Sequence, residues 1–372
     1  MTIEAVFNLP FEEQIAFFRK KLNVPTRKWD DLWHAQHAKG FMIAGAMKAD
    51  LLSDFRQAMD KAVAGGVTLA DFRKDFDNIV AKHGWSYKGG RNWRSRVIYD
   101  TNISTSYAAG RWQQLNDPDV KRFYPYKVYR HGDAKVPRPH HLAWDGITLP
   151  ADDPWWKTHF APNGWGCHCR EFAATRDEFE AAKAKGKGEA PPSPIDPDTG
   201  EPVGIDKGWG YNVGEAAEKE SYRVLANKFE SLPNDIARKW ISSYVQEPAF
   251  ERFIAGKIGG EFPVAVLDKP TMQALGTVAQ SVWLTGATLA KNIANHPEID
   301  LPAFRLIPEI VDNGEIYRSG DERLIYLMRD EKLYRAALKR TKDGSENYFL
   351  TLFETTDKVA ERNVRSKIER VR

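Results

Sequence analysis

From Asp50 to Val63 the apolar side chains Leu51, Leu52, Phe55, Met59, Ala62 and Val63 return every three or four residues, the period of a helix with one buried stripe. Gly65-Gly66 ends it. Thr68 with Asp71 three positions on forms an N-cap signal, and Phe72, Phe76, Ile79 and Val80 keep the helical period to His83-Gly84, so a helical hairpin is predicted. After Gly89-Gly90 no proline occurs before Pro118, and a long helix is predicted from about Arg91 to Leu115. The segment Tyr124 to Arg170 changes character. Dense in Tyr, Trp, Pro, His and Gly, it offers one short strand, Tyr126 to Arg130, and otherwise reads as loops pinned by aromatic rings.

Residues Ala184 to Gly210 carry many prolines and glycines and few large apolar side chains, which reads as a linker and a domain boundary. Helical patterns return at Glu215 to Glu230 and at Asn234 to Gln246. Short strands are expected at Val264 to Leu267 and Val282 to Leu284, and helices at Thr288 to Asn295 and Pro302 to Val311. Strand runs follow at Glu315 to Tyr317, Leu324 to Met328, Leu333 to Lys339 and Tyr348 to Phe353. The turn Lys342-Asp343-Gly344 joins the last two as a hairpin. The expected class is a multidomain α+β chain, mainly α at the front, with an antiparallel sheet at the back. Arg362, Arg365, Lys367, Arg370 and Arg372 make a basic tail that reads as a solvated helix face or a frayed end.

With 372 residues there is room for two or three domains. Lys+Arg 54 against Asp+Glu 51 leaves +3, too small an excess to argue for a nucleic-acid binder from bulk charge. The two cysteines, Cys167 and Cys169, exclude a disulfide-stapled scaffold and favour a reducing compartment. No signal peptide is expected from the opening residues, and the apolar run Phe41 to Met47 falls far short of the ~20 residues needed to cross a bilayer, so no membrane role is expected.

Four stretches then stand out: Pro10 to Arg19; Val97 to Arg111; His140-His141-Leu-Ala-Trp-Asp145-Gly146; and Asp153-Pro-Trp-Trp156 leading to Ala161-Pro162-Asn-Gly-Trp-Gly-Cys167-His168-Cys169-Arg170. Together they resemble the phage Mu F-like minor head proteins over roughly residues 1–174. His168 departs from the family, which more often has Arg between the cysteines. The resemblance implies a minor capsid, head-morphogenesis protein of a tailed phage or prophage. It would associate with the portal and other head proteins, reside in the virion near the portal vertex, and be found in the bacterial host cytoplasm during assembly. With the pattern read above, the expected organisation is a helical segment (1–49), a head-morphogenesis domain (50–174) that the resemblance implies, a linker (175–210), a helical connector (211–260), an α+β domain (261–357) and a basic tail (358–372).

Physically, Cys167 and Cys169 with a pair drawn from His140, His141, His159 and His168 offer the nitrogen and sulfur ligands of a tetrahedral zinc, with His141 and His168 the named candidates. Against this, Cys-x-Cys is a tighter spacing than structural zinc sites usually use. The favoured expectation is therefore no cofactor, with the thiols packed under Trp155, Trp156 and Trp165. Asp145-Gly146 and Asn163-Gly164 are expected to form turns.

The region from about Phe262 to Asp357 is similar to phage-borne nuclease-like domains grouped with barnase, EndoU, colicin E5 and D, and RelE. That resemblance implies a metal-independent endoribonuclease, with RNA as its partner. Such chemistry needs a base for the ribose 2′-hydroxyl, cations for the phosphate and an acid for the leaving oxygen. The residues proposed for it are His296 as acid or base, Lys291, Arg335 and Lys339 as phosphate contacts, Thr351 beside them, and Tyr317 as a phosphate donor or base-stacking ring. Three function classes are thus carried forward: a non-enzymatic head component, a virion-carried RNA-cleaving effector, and a metal-stabilised binding module.

Overall fold

The structure is a computed structural model that describes residues 11–132, 134, 136–218 and 222–372; Pro10, the first residue of the first quoted stretch, lies outside them. The chain divides into two compact units, Met1–Lys219 and Glu220–Arg372.

In unit 1 the predicted hairpin is present as α2 (Ala49–Gly65) and α3 (Leu69–His83), preceded by α1 (Glu12–Lys20). Thr68 caps α3, its Oγ1 accepting the Asp71 amide at 3.2 Å. The facing stripes bury Leu51, Leu52, Phe55 and Met59 against Phe72 and Phe76. The long helix is α4 (Arg91–Leu115). Its buried face is polar in sequence because Asn102 and Ser106 donate back to their own helix, to Ile98 and Asn102 carbonyls at 2.8 and 2.6 Å. Small residues Ala108, Ala109 and Gly110 let α1 approach. A Cβ on Gly110 would stand 2.8 Å from the Gln14 amide nitrogen.

The aromatic-rich segment is more regular than expected. Strands β1 (Tyr126–Arg130), β2 (Thr148–Pro150) and β3 (Arg170–Ala174) form an antiparallel sheet in the order β2-β1-β3, with the short helices α5 (Pro139–Trp144) and α6 (Trp156–His159) between β1 and β3. Its core holds Trp144, Trp155, Trp156, Phe160, Cys167 and Cys169.

The stretch 175–210, expected to be a linker, is instead structured against this core. It opens with α7 (Arg176–Ala184), started by a reciprocal Thr175–Glu178 capping box. Ile205 and Trp209 are buried in the same tryptophan cluster. Apolar residues are sparse here but well placed, which composition alone does not register.

Unit 2 carries α8 (Asn234–Tyr244), then β4 (Glu261–Val266), α9 (Lys269–Leu275), β5 (Ser281–Thr285) and α10 (Gly286–Asn295). Two short helices, α11 (Leu301–Arg305) and α12 (Ile307–Asn313), stand where one was predicted, and β6 (Glu315–Arg318), β7 (Arg323–Arg329), β8 (Leu333–Arg340) and β9 (Asn347–Thr355) complete the unit. Where a helix was expected over Glu215 to Glu230, the described residues hold short helical pieces at Val213–Glu218, Tyr222–Leu225 and Ala226–Ser231.

The six-stranded sheet runs β4-β5-β9-β8-β7-β6 and is antiparallel except at the β5–β9 pair. Gly344, at φ +71°, closes the β8–β9 hairpin. Of the two expectations for the basic tail, helical turns are present over residues 357–365 and the frayed end is not: the Ile316 amide donates to the Arg372 carbonyl and the Val371 amide to Ile316, so the tail covers the β6 edge. Val364 is fully buried beneath it, and Arg372 pairs with Asp268 at 3.0 Å.

Candidate functional site

In unit 1 the fold gathers three of the quoted side chains. His141 projects from α5, and Cys167 and Cys169 come from the loop entering β3. Nδ1 of His141 stands 3.7 Å from Cys167 Sγ and 3.6 Å from Cys169 Sγ. All three ligand atoms lie within 4.8 Å of one another, and all three residues are buried. On the far side of the ring, His141 Nε2 donates to the Gly204 carbonyl at 2.9 Å, while Trp144 stacks on the imidazole at 5.0 Å. The Cys167 thiol hydrogen-bonds Cys169; that bond and burial push Cys167 above the ordinary thiol range, while the same bond, with His141 and Tyr129, holds Cys169 below it against the opposing effect of burial.

The surrounding frame positions this group. Tyr129, fully buried on β1, donates to Asn163 Oδ1 at 3.0 Å. Asp145 accepts the His131 amide at 2.9 Å, and Gly146, at φ +81°, turns the chain from α5 into β2. In the second turn the positive φ falls at Gly166, not Gly164. Asp206 fastens the loop from outside, accepting from Arg138 and from the Trp165 amide, both at 2.8 Å.

Other residues named from sequence sit elsewhere. His168 is exposed, and a 150 Å³ cavity beside the cysteines is lined by it together with Asp100, Pro162 and Arg170. Arg170 extends over the Tyr107 ring at 4.8 Å. His140 is exposed near Trp144, and His159 stacks on Trp155 at 4.4 Å with its ring nitrogens engaged by Thr158 and Ser193. Trp165 is 38% exposed and packs on Trp209 rather than over the thiols. Asn163, Gly204 and Asp206 were missed; a buried Asn and a carbonyl acceptor leave no pattern in the chain.

In unit 2, His296, Lys291, Arg335 and Thr351 line one cleft of about 380 Å³ between α10 and the sheet. Asn292, Thr288 and Arg323, not named from sequence, line it too. His296 follows the last turn of α10; its ring stacks on Phe353 at 4.8 Å, and Nδ1 faces Glu298 Oε1 at 3.3 Å. The Arg335 guanidinium also lies over the Phe353 ring, 5.2 Å from its centroid. Burial, and to a lesser degree Arg323, lowers its affinity for the proton. The Asn292 carboxamide pairs with the Leu352 backbone N–H and C=O at 3.2 and 3.1 Å, fixing α10 to β9.

Two of the proposed residues stand apart from this cleft. Lys339 pairs with Glu322 at 3.5 Å and does not line the cleft; the register shift in the β8–β9 pair leaves Leu350 of β9 unpaired, and both Leu350 and Thr351 line the cleft. Tyr317 is buried with Ile325, Leu333 and Val364 and donates to Glu315.

A helical hairpin, a long helix and a small sheet enclosing a tryptophan-lined His/Cys loop define unit 1, and the corresponding residues 53–172 match the family of Phage Mu protein F like proteins. Among curated proteins, the chain is similar to protein F of Escherichia phage Mu, named for capsid assembly, at 29% identity over 56% of this chain and 55% of the relative. It is also 28% identical to the Mu-like prophage FluMu F protein of Haemophilus influenzae, over 63% and 64% respectively. The chain therefore spans about half to two thirds of the length of these relatives. No solved structure matches it. Among the described residues no helix is long and apolar enough to cross a membrane.

Proposed function

We propose that the protein is a minor head component that acts in capsid assembly of a Mu-like tailed phage or prophage, associating with the portal and present in the virion. One observation carries this reading: the match of residues 53–172 to the Mu F-like family covers most of the α2–α3 hairpin, α4 and the loop that carries His141, Cys167 and Cys169. A rigid, densely aromatic body of this kind is suited to docking, since its side chains are ordered before a partner arrives. The test is sedimentation of the full chain with procapsids and with purified portal oligomers. Co-sedimentation is expected; a chain that stays in the supernatant with both overturns the reading.

The cleft of unit 2 favours a second activity, RNA cleavage without a metal. His296 beside Lys291, Arg323 and Arg335 supplies a proton-transfer group next to cations that suit a phosphodiester. In that reaction the base removes the ribose 2′-proton, the 2′-oxygen bonds to phosphorus, the bond to the 5′-oxygen breaks, and an acid returns a proton to that oxygen. Full-length protein incubated with RNA in EDTA should leave 2′,3′-cyclic phosphate ends, and His296→Ala should slow cleavage ~100-fold or more. Intact RNA with the wild-type chain rejects this activity and leaves the head-assembly reading to its own test.

A further inference from the structure

The His141, Cys167 and Cys169 side chains do more than fill the core. Bonds of ~2.3 Å to sulfur and ~2.1 Å to nitrogen, opened to the tetrahedral angle, place the two ligand atoms roughly 3.6 Å apart. The observed Nδ1-to-Sγ separations are 3.7 and 3.6 Å. Hydrophobic packing has no reason to set two thiols at one imidazole nitrogen at this spacing. The ring is also oriented as a ligand would be, with Nδ1 toward the sulfurs and Nε2–H committed to the Gly204 carbonyl, the outer partner that fixes a metal-binding tautomer.

We propose that these three side chains bind one zinc ion. Two thiolates and an imidazole select a borderline-soft ion over magnesium or calcium, which take oxygen ligands. Among the described residues no fourth His, Cys, Asp or Glu joins the group. The fourth position falls to solvent, and the cavity lined by Cys167, Cys169 and Asp100 adjoins the site. Binding fastens α5 to the loop entering β3 and, through His141 and Gly204, to the stretch 195–210. The tight Cys-x-Cys spacing is accommodated because the third ligand arrives from a separate helix. This proposal stands independently of the head-assembly reading.

The test uses full-length protein made in zinc-supplemented medium and purified with reductant and without chelator. Elemental analysis should find about one zinc per chain, retained in His168→Ala and lost in His141→Ala and Cys169→Ser. Because those variants can fail to fold, the stripped wild-type chain is also titrated with Co²⁺. A thiolate-to-cobalt charge-transfer band with the d–d absorption of a tetrahedral centre is expected. A folded wild-type chain that lacks metal and gives no such band overturns the proposal, as does a Cys167–Cys169 disulfide in protein purified with reductant.

Discussion

Lys127 shows at single-residue scale how unit 1 tolerates polarity in its interior. It is fully buried on β1, donates to the Ala151 carbonyl at 2.6 Å and lies over the Trp112 ring at 4.2 Å. Burial lowers its ammonium to about 8, against ~10.4 in an unfolded chain. Below pH 8 both states hold the proton and the fold bears the full cost of the desolvated charge. Between about 8 and 10.4 the unfolded chain holds more protons, so stability should rise with pH, by on the order of 3 kcal/mol. Urea denaturation across that range should show a steeper rise in the wild type than in Lys127→Met; parallel curves would contradict the assignment. Gly110 gives a steric counterpart. Gly110→Leu should cost about 1–3 kcal/mol because the new side chain meets the α1 backbone, and the same melts measure it.

Among the elements, local rules decided where sequence reasoning succeeded. Thr68 as a cap, Gly66 and Gly84 as stops, and the Asp343-Gly344 turn are short-range signals, and α2, α3, α4 and the β8–β9 hairpin follow them. The C-terminal tail is different, because its role depends on an edge strand more than 40 residues away that no local pattern announces. Truncation after Thr356 removes Ala360 and Val364 from a core shared with Tyr317 and Leu333 and leaves the Ile316 N–H and C=O without their tail partners. It should cost about 2–5 kcal/mol and promote self-association through the bared β6 edge, read by chemical denaturation and light scattering. A truncated chain equal in stability and monomeric would mean the tail contributes nothing there.

Across the whole molecule, the α+β class and the quoted Mu F-like stretches were legible in the chain, whereas the convergence of side chains was legible only in part. Of His141 and His168, the two histidines named with the cysteines, α5 brings only His141 to the sulfurs, while His168 is exposed. Alternation puts Lys339 on the same face as Arg335, but its ammonium pairs with Glu322 and stays out of the cleft that Arg335 lines. The stretch 175–210 read as a spacer because Ile205 and Trp209 are few, although each is buried. Distance in space, set by tertiary packing, is what a linear pattern omits. The central claim concerns the assembled particle, and it is tested by deleting the gene from its parent phage or prophage, restoring the full chain in trans, and counting heads by electron microscopy alongside an immunoblot of purified particles. The account predicts that normal heads are lost on deletion, return with the restored chain, and contain it. Normal numbers of heads without the chain, or restored particles from which it is absent, would contradict the account.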